Sequence, residues 1–164
     1  MKRRNEFDFE WNVLRHLDAA NNLARWLLGN LQDAEDVVQD SAIRAFAAYS
    51  SFRGSDAKPW FLAIVRNGCM NRLRHRSRMQ PLEENVEDSE PSPEALVVRA
   101  WEAETVRMAI DGLPVEFREV IVLRELEEMS YKEIAAVTGL PIGTVMSRLT
   151  RARGRLAAAL GGAQ

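Results

Sequence analysis

The chain has 164 residues and a formal net charge of -2 at pH 7. That length suits one or two small domains, and the composition is ordinary for a soluble globular protein. The single cysteine, Cys69, excludes an internal disulfide and a cysteine-rich metal site. It reads as a small apolar residue on a helix rather than a redox sensor. The basic start Met1-Lys2-Arg3-Arg4 is followed by Glu6, Asp8 and Glu10 where a signal peptide needs an apolar run. No stretch approaches the roughly 18 apolar residues of a membrane span. The expected location is cytoplasmic, with no membrane insertion.

Apolar residues recur at helical spacing nearly throughout, so the fold is predicted to be all-α. Leu14, Leu17, Leu23, Leu27 and Leu31 fit one or two early helices. Asp33 reads as an N-cap, with Asp36 three residues on, ahead of a helix carrying Val37, Val38, Ala42, Ala45, Phe46 and Tyr49. Ser50, Ser51, Gly54 and Ser55 mark a break, and Pro59 restarts a helix as its first residue. The apolar stripe of that helix includes Trp60, Phe61, Ile64 and Val65. It runs on into a basic segment ending at Arg78.

Residues 80–93 hold three prolines and many acids, with few apolar side chains. They divide the chain into domains at 1–79 and 94–164, joined by a flexible acidic linker. A helix is expected from about Glu94 to Asp111, closed by Gly112. Pro114 opens another with Phe117, Val120, Ile121, Leu123 and Leu126 on its stripe.

Charge is unevenly placed. Arg53, Lys58, Arg66, Arg72, Arg74, Arg76 and Arg78 face a single acid, Asp56, over residues 53–78. Arg148, Arg151, Arg153 and Arg155 occur with no acid over residues 144–155. Two basic segments around an acidic one point to nucleic acid in a way that the net charge conceals.

The strongest local signal begins at Ser130, which forms a capping box with Glu133. Ile134 and Ala135 face inward, and Gly139 supplies a left-handed turn. Val145, Leu149, Ala152, Leu156 and Leu160 then line a longer helix. The spacing of Ala135, Gly139 and Val145 fits a DNA-binding helix-turn-helix. Thr144, Ser147, Arg148 and Arg151 lie on the outer face, with Arg155 one turn further. Arginines on a solvated face are common, but four without an acid directly past such a turn favour DNA.

On the helix after Asp33, Asp36, Asp40 and Arg44 are one turn apart, with Gln39 beside them. They read either as a solvated face or as a docking surface. Neither His16 nor His75 stands at ligand spacing from them, and no nucleophile with a base or phosphate loop is present. No catalytic residue, metal or cofactor is therefore expected, and the chain does not read as an enzyme.

Three motifs in the first half resemble conserved region two of the extracytoplasmic-function (ECF) group of sigma factors, in the sigma-70 family. They are Asp33-Ala34-Glu35-Asp36-Val37-Val38-Gln39-Asp40, Phe52-Arg53-Gly54 and Trp60-Phe61-Leu62-Ala63-Ile64-Val65-Arg66-Asn67. Leu113-Pro114, Arg118-Glu119-Val120, Ser130-Tyr131-Lys132-Glu133-Ile134-Ala135 and Gly143-Thr144-Val145-Met146-Ser147-Arg148-Leu149 resemble region four. The resemblance covers nearly the whole chain, in order.

It implies a transcription initiation factor that binds core RNA polymerase and promoter DNA, with an anti-sigma factor as a further partner. Asp36, Gln39, Asp40 and Arg44 would dock on the polymerase clamp. The loop with Arg53, Ser55, Asp56 and Lys58 would hold a base flipped from the minus-ten element. Trp60 would support that loop, and its helix, with Arg66, Asn67 and Arg74, would contact the DNA backbone. Thr144, Ser147, Arg148, Arg151 and Arg155 would serve the minus-thirty-five element. The acidic linker would thread toward the RNA exit path. Trp60 and Phe61 could also be stacking platforms, although at helical spacing at least one belongs to the core. The alternative is a polymerase-independent helix-turn-helix regulator with a helical sensor domain.

Overall fold

The computed structural model describes residues 2–79 and 99–161, and no strand occurs among the described residues. The linker expected at 80–93 and the first residues of the helix expected from Glu94 lie outside them.

Helix α1 (Lys2–Asn12) leads through a short 3-10 turn to α2 (Leu17–Leu28), whose Ala20, Leu23, Ala24 and Leu27 are fully buried. Gly29 closes α2 with φ 69°, a left-handed conformation that glycine adopts without a Cβ penalty. The next residue, Asn30, caps α3 (Leu31–Ala48): its side chain accepts from the Asp33 amide at 3.0 Å. The cap expected at Asp33 therefore sits one turn earlier. Both residues suit that role chemically, but Asn30 has the extended backbone a cap needs.

Asp33, released from capping, takes a different part. Its carboxylate accepts from Arg72 Nη2 at 2.9 Å and from Arg76, both on α4 (Ala57–Met79). Those hydrogen bonds, Arg76 first and Arg72 second, hold Asp33 below the usual carboxylate range. Helix α4 starts two residues before Pro59. Asp56 caps it by accepting from the Lys58 amide at 3.0 Å. Pro59 is still in the first turn, where its missing N–H costs nothing.

Helices α2, α3 and α4 pack around Leu23, Leu27, Val38, Phe61, Leu62 and Val65. Cys69 is wholly buried there, and burial pushes its thiol up to about 12. Phe9 of α1 meets the edges of Phe46 and Tyr49 at 5.1 and 5.4 Å.

The second half comprises α5 (Arg99–Asp111), α6 (Val115–Ile121), α7 (Tyr131–Thr138) and α8 (Ile142–Gly161). Pro114 precedes α6 as its N-cap residue. Helix α6 then widens into a π-helical turn, Val122–Leu126, in which the Glu127 amide donates to the Val122 carbonyl at 3.1 Å. The wider turn shifts the helical register. Leu126, expected on the buried stripe, is consequently 44% exposed, whereas Leu123 remains fully buried. Packing against α8 is led by Val145, Leu149 and Ala152, all buried.

The two halves touch. Helix α4 lies against α7, and α2 lies against α6. Their apolar residues form one continuous buried cluster.

The Asp33 pairs are stabilising above the ordinary carboxylate pKa and lose their effect as pH falls through its lowered folded value. Asp33→Asn should lower the unfolding free energy by about 1 kcal/mol at pH 7. Urea titrations at several pH values should show that difference constant above the ordinary carboxylate range and shrinking only as pH falls below it, through the lowered folded pKa of Asp33.

Candidate nucleic-acid and polymerase interfaces

On α3, Gln39, Asp40 and Arg44 are exposed, while Asp36 is half-buried. Asp36 accepts from Gln32 at 3.2 Å and lies 3.7 Å from the Arg72 guanidinium. Asp40 and Arg44, spaced for pairing, form no ion pair with each other among the described residues. Both border a groove of about 340 Å³ between α3 and α4, with Asn71, Arg72 and His75 on its other wall. At its floor, a Cβ on Gly68 would come within 3.0 Å of Val37, which fixes how closely the helices approach. One further member of this face carries no motif in the sequence: Ile43 is 69% exposed beside Gln39 and Asp40.

The loop between α3 and α4 is built on aromatic rings. Phe52 and Trp60 lie 4.9 Å apart, and Tyr49 approaches Phe52 at 6.3 Å and Trp60 at 6.4 Å. A Cβ on Gly54 would fall 2.8 Å from the Phe52 ring, so any larger residue there would require the ring or the loop to shift. Arg53 Nη1 donates to the Ser50 carbonyl at 2.8 Å, and Ser55 is exposed. Asp56 is occupied by its capping bond. Trp60 is half-buried under the loop, and Phe61 is completely buried and belongs to the core.

Further along α4 the candidate residues diverge. Arg74 is exposed and bonds to Asn71, one turn earlier. Asn67 is exposed and accepts from Arg66 Nη1 at 3.5 Å. Arg66 itself reaches the second half of the chain. Its Nε and Nη2 donate to the two carboxylate oxygens of Glu119 at 2.8 and 3.1 Å. Lys58 lies 3.6 Å from Glu127. Neither contact was foreseeable from local sequence.

The helix-turn-helix forms as its sequence suggests. Ser130 accepts from the Glu133 amide at 3.1 Å, and Glu133 accepts from the Ser130 amide at 3.0 Å. Gly139 ends α7 with φ 75°. On α8, Ser147 and Arg151 are exposed, and Thr144 and Arg148 are half-exposed. The four share two helical turns on the side away from Val145 and Leu149. Among the described residues, neither Arg148 nor Arg151 has a carboxylate within ion-pair distance. Arg155 stands apart, its guanidinium 4.8 Å from the centre of the Phe117 ring. Arg153 pairs with Glu125 at 2.9 Å, an acid supplied by the π-helical turn and invisible in the local charge pattern. Met146 is 49% exposed on the same helix.

Among the described residues, no group of three or more His, Cys, Asp or Glu side chains is placed to hold a metal ion. No described helix is long and apolar enough to cross a membrane.

Two matched segments fit this geometry. Residues 13–79 match the family described as Sigma-70 region 2, and residues 103–156 match Sigma-70, region 4. RNA polymerase sigma-H factor of Pseudomonas aeruginosa is 34% identical over 166 residues, covering 93% of this chain and 86% of that protein. The chain therefore belongs to the sigma-70 family.

ECF RNA polymerase sigma factor SigE of Mycolicibacterium smegmatis is 36% identical over 149 residues, covering 88% of this chain and 58% of that protein. The sigma factor RpoE from Bartonella quintana, solved in complex with the anti-sigma factor NepR, superimposes with a TM-score of 0.78 at 31% identity. That likeness covers 94% of this chain and 97% of the other. Within its family the chain is a member of the ECF group, a transcription initiation factor that directs RNA polymerase to promoters.

Ser130→Ala removes the acceptor for the Glu133 amide and should cost about 1 kcal/mol of stability, whereas Ser130→Asp should retain most of it. Thermal unfolding of the two variants side by side measures the difference.

Proposed function

We propose that this chain divides its tasks among three surfaces: the exposed face of α3 docks on core RNA polymerase, the 52–56 loop with α4 serves the minus-ten element, and α8 serves the minus-thirty-five element. The domains are drawn at 1–79 and 94–164, with residues 80–93 joining them. The observation that carries the reading is the face of α8. Arg148 and Arg151 point away from the core with no carboxylate opposite them among the described residues, next to exposed Ser147. A helix so dressed enters a major groove with donors for base edges and phosphates.

In region two, Trp60, Phe52 and Tyr49 support the loop from beneath. Arg53 and Ser55 lie at its rim and are the side chains offered to a flipped base. Asp56 orders the start of α4. Arg66, Asn67 and Arg74 follow along the helix as backbone contacts. Flipping a base costs a few kcal/mol, and each stacked base returns roughly 1–3 kcal/mol. Polymerase therefore shares the work of opening, and this chain alone melts DNA poorly.

On α3, Asp36, Gln39, Asp40 and Arg44 surround Ile43. An apolar side chain ringed by polar ones is the usual composition of a protein-protein contact centre. Ile43 is the apolar anchor, and the acids steer toward a basic partner. The RpoE relative was solved with an anti-sigma factor, which supports a partner of that kind here. The chain acts in the cytoplasm, and its part is recognition, with no catalysis of its own.

Reconstituted transcription with core polymerase on a library of promoter sequences tests the reading. Promoter-dependent initiation is expected, and its absence with folded protein rejects the proposal. Tight duplex binding without any requirement for core enzyme would instead favour a polymerase-independent regulator. Ile43→Ala should weaken binding to core polymerase about tenfold, with Asp40→Ala smaller in effect. Unchanged affinity in both would exclude this face. Arg148→Ala and Arg151→Ala should each lower the salt dependence of duplex binding by about 0.9 in the logarithmic slope.

A further inference from the structure

Two of the cations assigned to the minus-ten surface already have carboxylate partners, and both partners belong to region four. Arg66 makes a two-pronged contact with Glu119, whose side chain is 1% exposed, while that of Arg66 is 20% exposed. Lys58 lies 3.6 Å from Glu127, and Asn22 Nδ2 donates to the same carboxylate at 2.9 Å. Arg118 Nη1 donates to the Trp26 carbonyl at 3.0 Å, fastening α6 to α2. These contacts join residues 53 to 105 positions apart. They run along the seam where α4 lies on α7 and α2 on α6.

We propose that Glu119 and Glu127 form an autoinhibitory latch, in which region four occupies Arg66 and Lys58 with carboxylates in place of the DNA phosphates. The assignment rests on the proposed minus-ten role of α4. A carboxylate and a phosphate diester present the same chemistry to a guanidinium: two oxygens sharing one negative charge and spaced for a forked donor. Closure and strand binding at Arg66 are therefore mutually exclusive.

The latch is also releasable. Buried ion pairs recover in attraction little more than they lose in hydration. Once α6 and α4 separate, Glu119 returns to water while Arg66 gains a phosphate, so the exchange conserves charge pairing. Masking is one-sided. Arg148 and Arg151 on α8 stay without carboxylate partners in the closed form among the described residues. The closed chain thus keeps a duplex-binding helix while withholding two of its strand-binding cations, Arg66 and Lys58.

The test uses the full chain carrying Glu119→Gln with Glu127→Gln, and separately Glu127→Gln alone. The single variant guards against a folding defect at the buried position, and circular dichroism monitors both. X-ray scattering should show a compact wild type and an expanded double variant. Binding of a single-stranded minus-ten oligonucleotide should strengthen about tenfold in the double variant, as expected when a competing closed state is removed, and less in the single one. Duplex binding through α8 should hardly change. A wild type that is already expanded, or variants that stay compact, would overturn the latch. Expansion without any gain in strand binding would overturn its inhibitory role. Scattering does not depend on promoter recognition, so failure of promoter-dependent transcription would count against the proposed function and not against the latch.

Discussion

Helix α4 is the member on which the rest of the structure depends. Phe61, Leu62, Val65 and Cys69 bind it into the core with α2 and α3. Arg72 and Arg76 tie it to Asp33 at the start of α3. Arg66 and Lys58 extend it toward α6 and the turn that follows. One helix thereby supports the aromatic base of the loop between α3 and α4, the groove between those helices and the contact between halves. Helix α4 is packed by α2, α3 and α7.

The arrangement separates rigidity from recognition. Hydrophobic burial fixes the helices, while Arg66 and Lys58 are held by electrostatic contacts with smaller net cost of rupture. Arg148 and Arg151 project from α8, which is anchored by Val145, Leu149 and Ala152. Such pre-ordering reduces the entropy lost when DNA is bound. Arg153 and Arg155 have the same charge and nearly the same position in the sequence, yet they are directed to Glu125 and to the face of Phe117. Four arginines of similar appearance in the chain thus have three distinct physical arrangements.

What could be read from residue order was whatever depends on neighbours within about one turn. The capping box at Ser130 and Glu133 and the left-handed Gly139 follow from local backbone chemistry, and both formed where expected. The cap before α3 was displaced from Asp33 to Asn30 because two residues with similar chemistry lay three apart, and only backbone conformation separates them. Pro59 is the third residue of α4 and not the first, because proline is tolerated throughout the first turn and does not mark its beginning. Leu126 leaves the buried stripe because a π-helical turn changes the helical period, which a fixed repeat cannot anticipate. Nothing in the order of residues separates exposed Ile43 from the buried apolar residues of the same helix. The pairs joining Arg66 to Glu119 and Lys58 to Glu127 depend on chain segments far apart in sequence, so no local pattern encodes them.

Cys69 has a practical consequence. It is sealed between α2, α3 and α4, and its proton is held up to about 12. The thiolate that attacks electrophiles is therefore scarce at neutral pH, and reagents cannot reach the sulfur without local opening. The native chain behaves chemically almost as though it were cysteine-free. A thiol placed on an outer helix can then carry a fluorophore or spin label at one defined position, with the natural residue left in place.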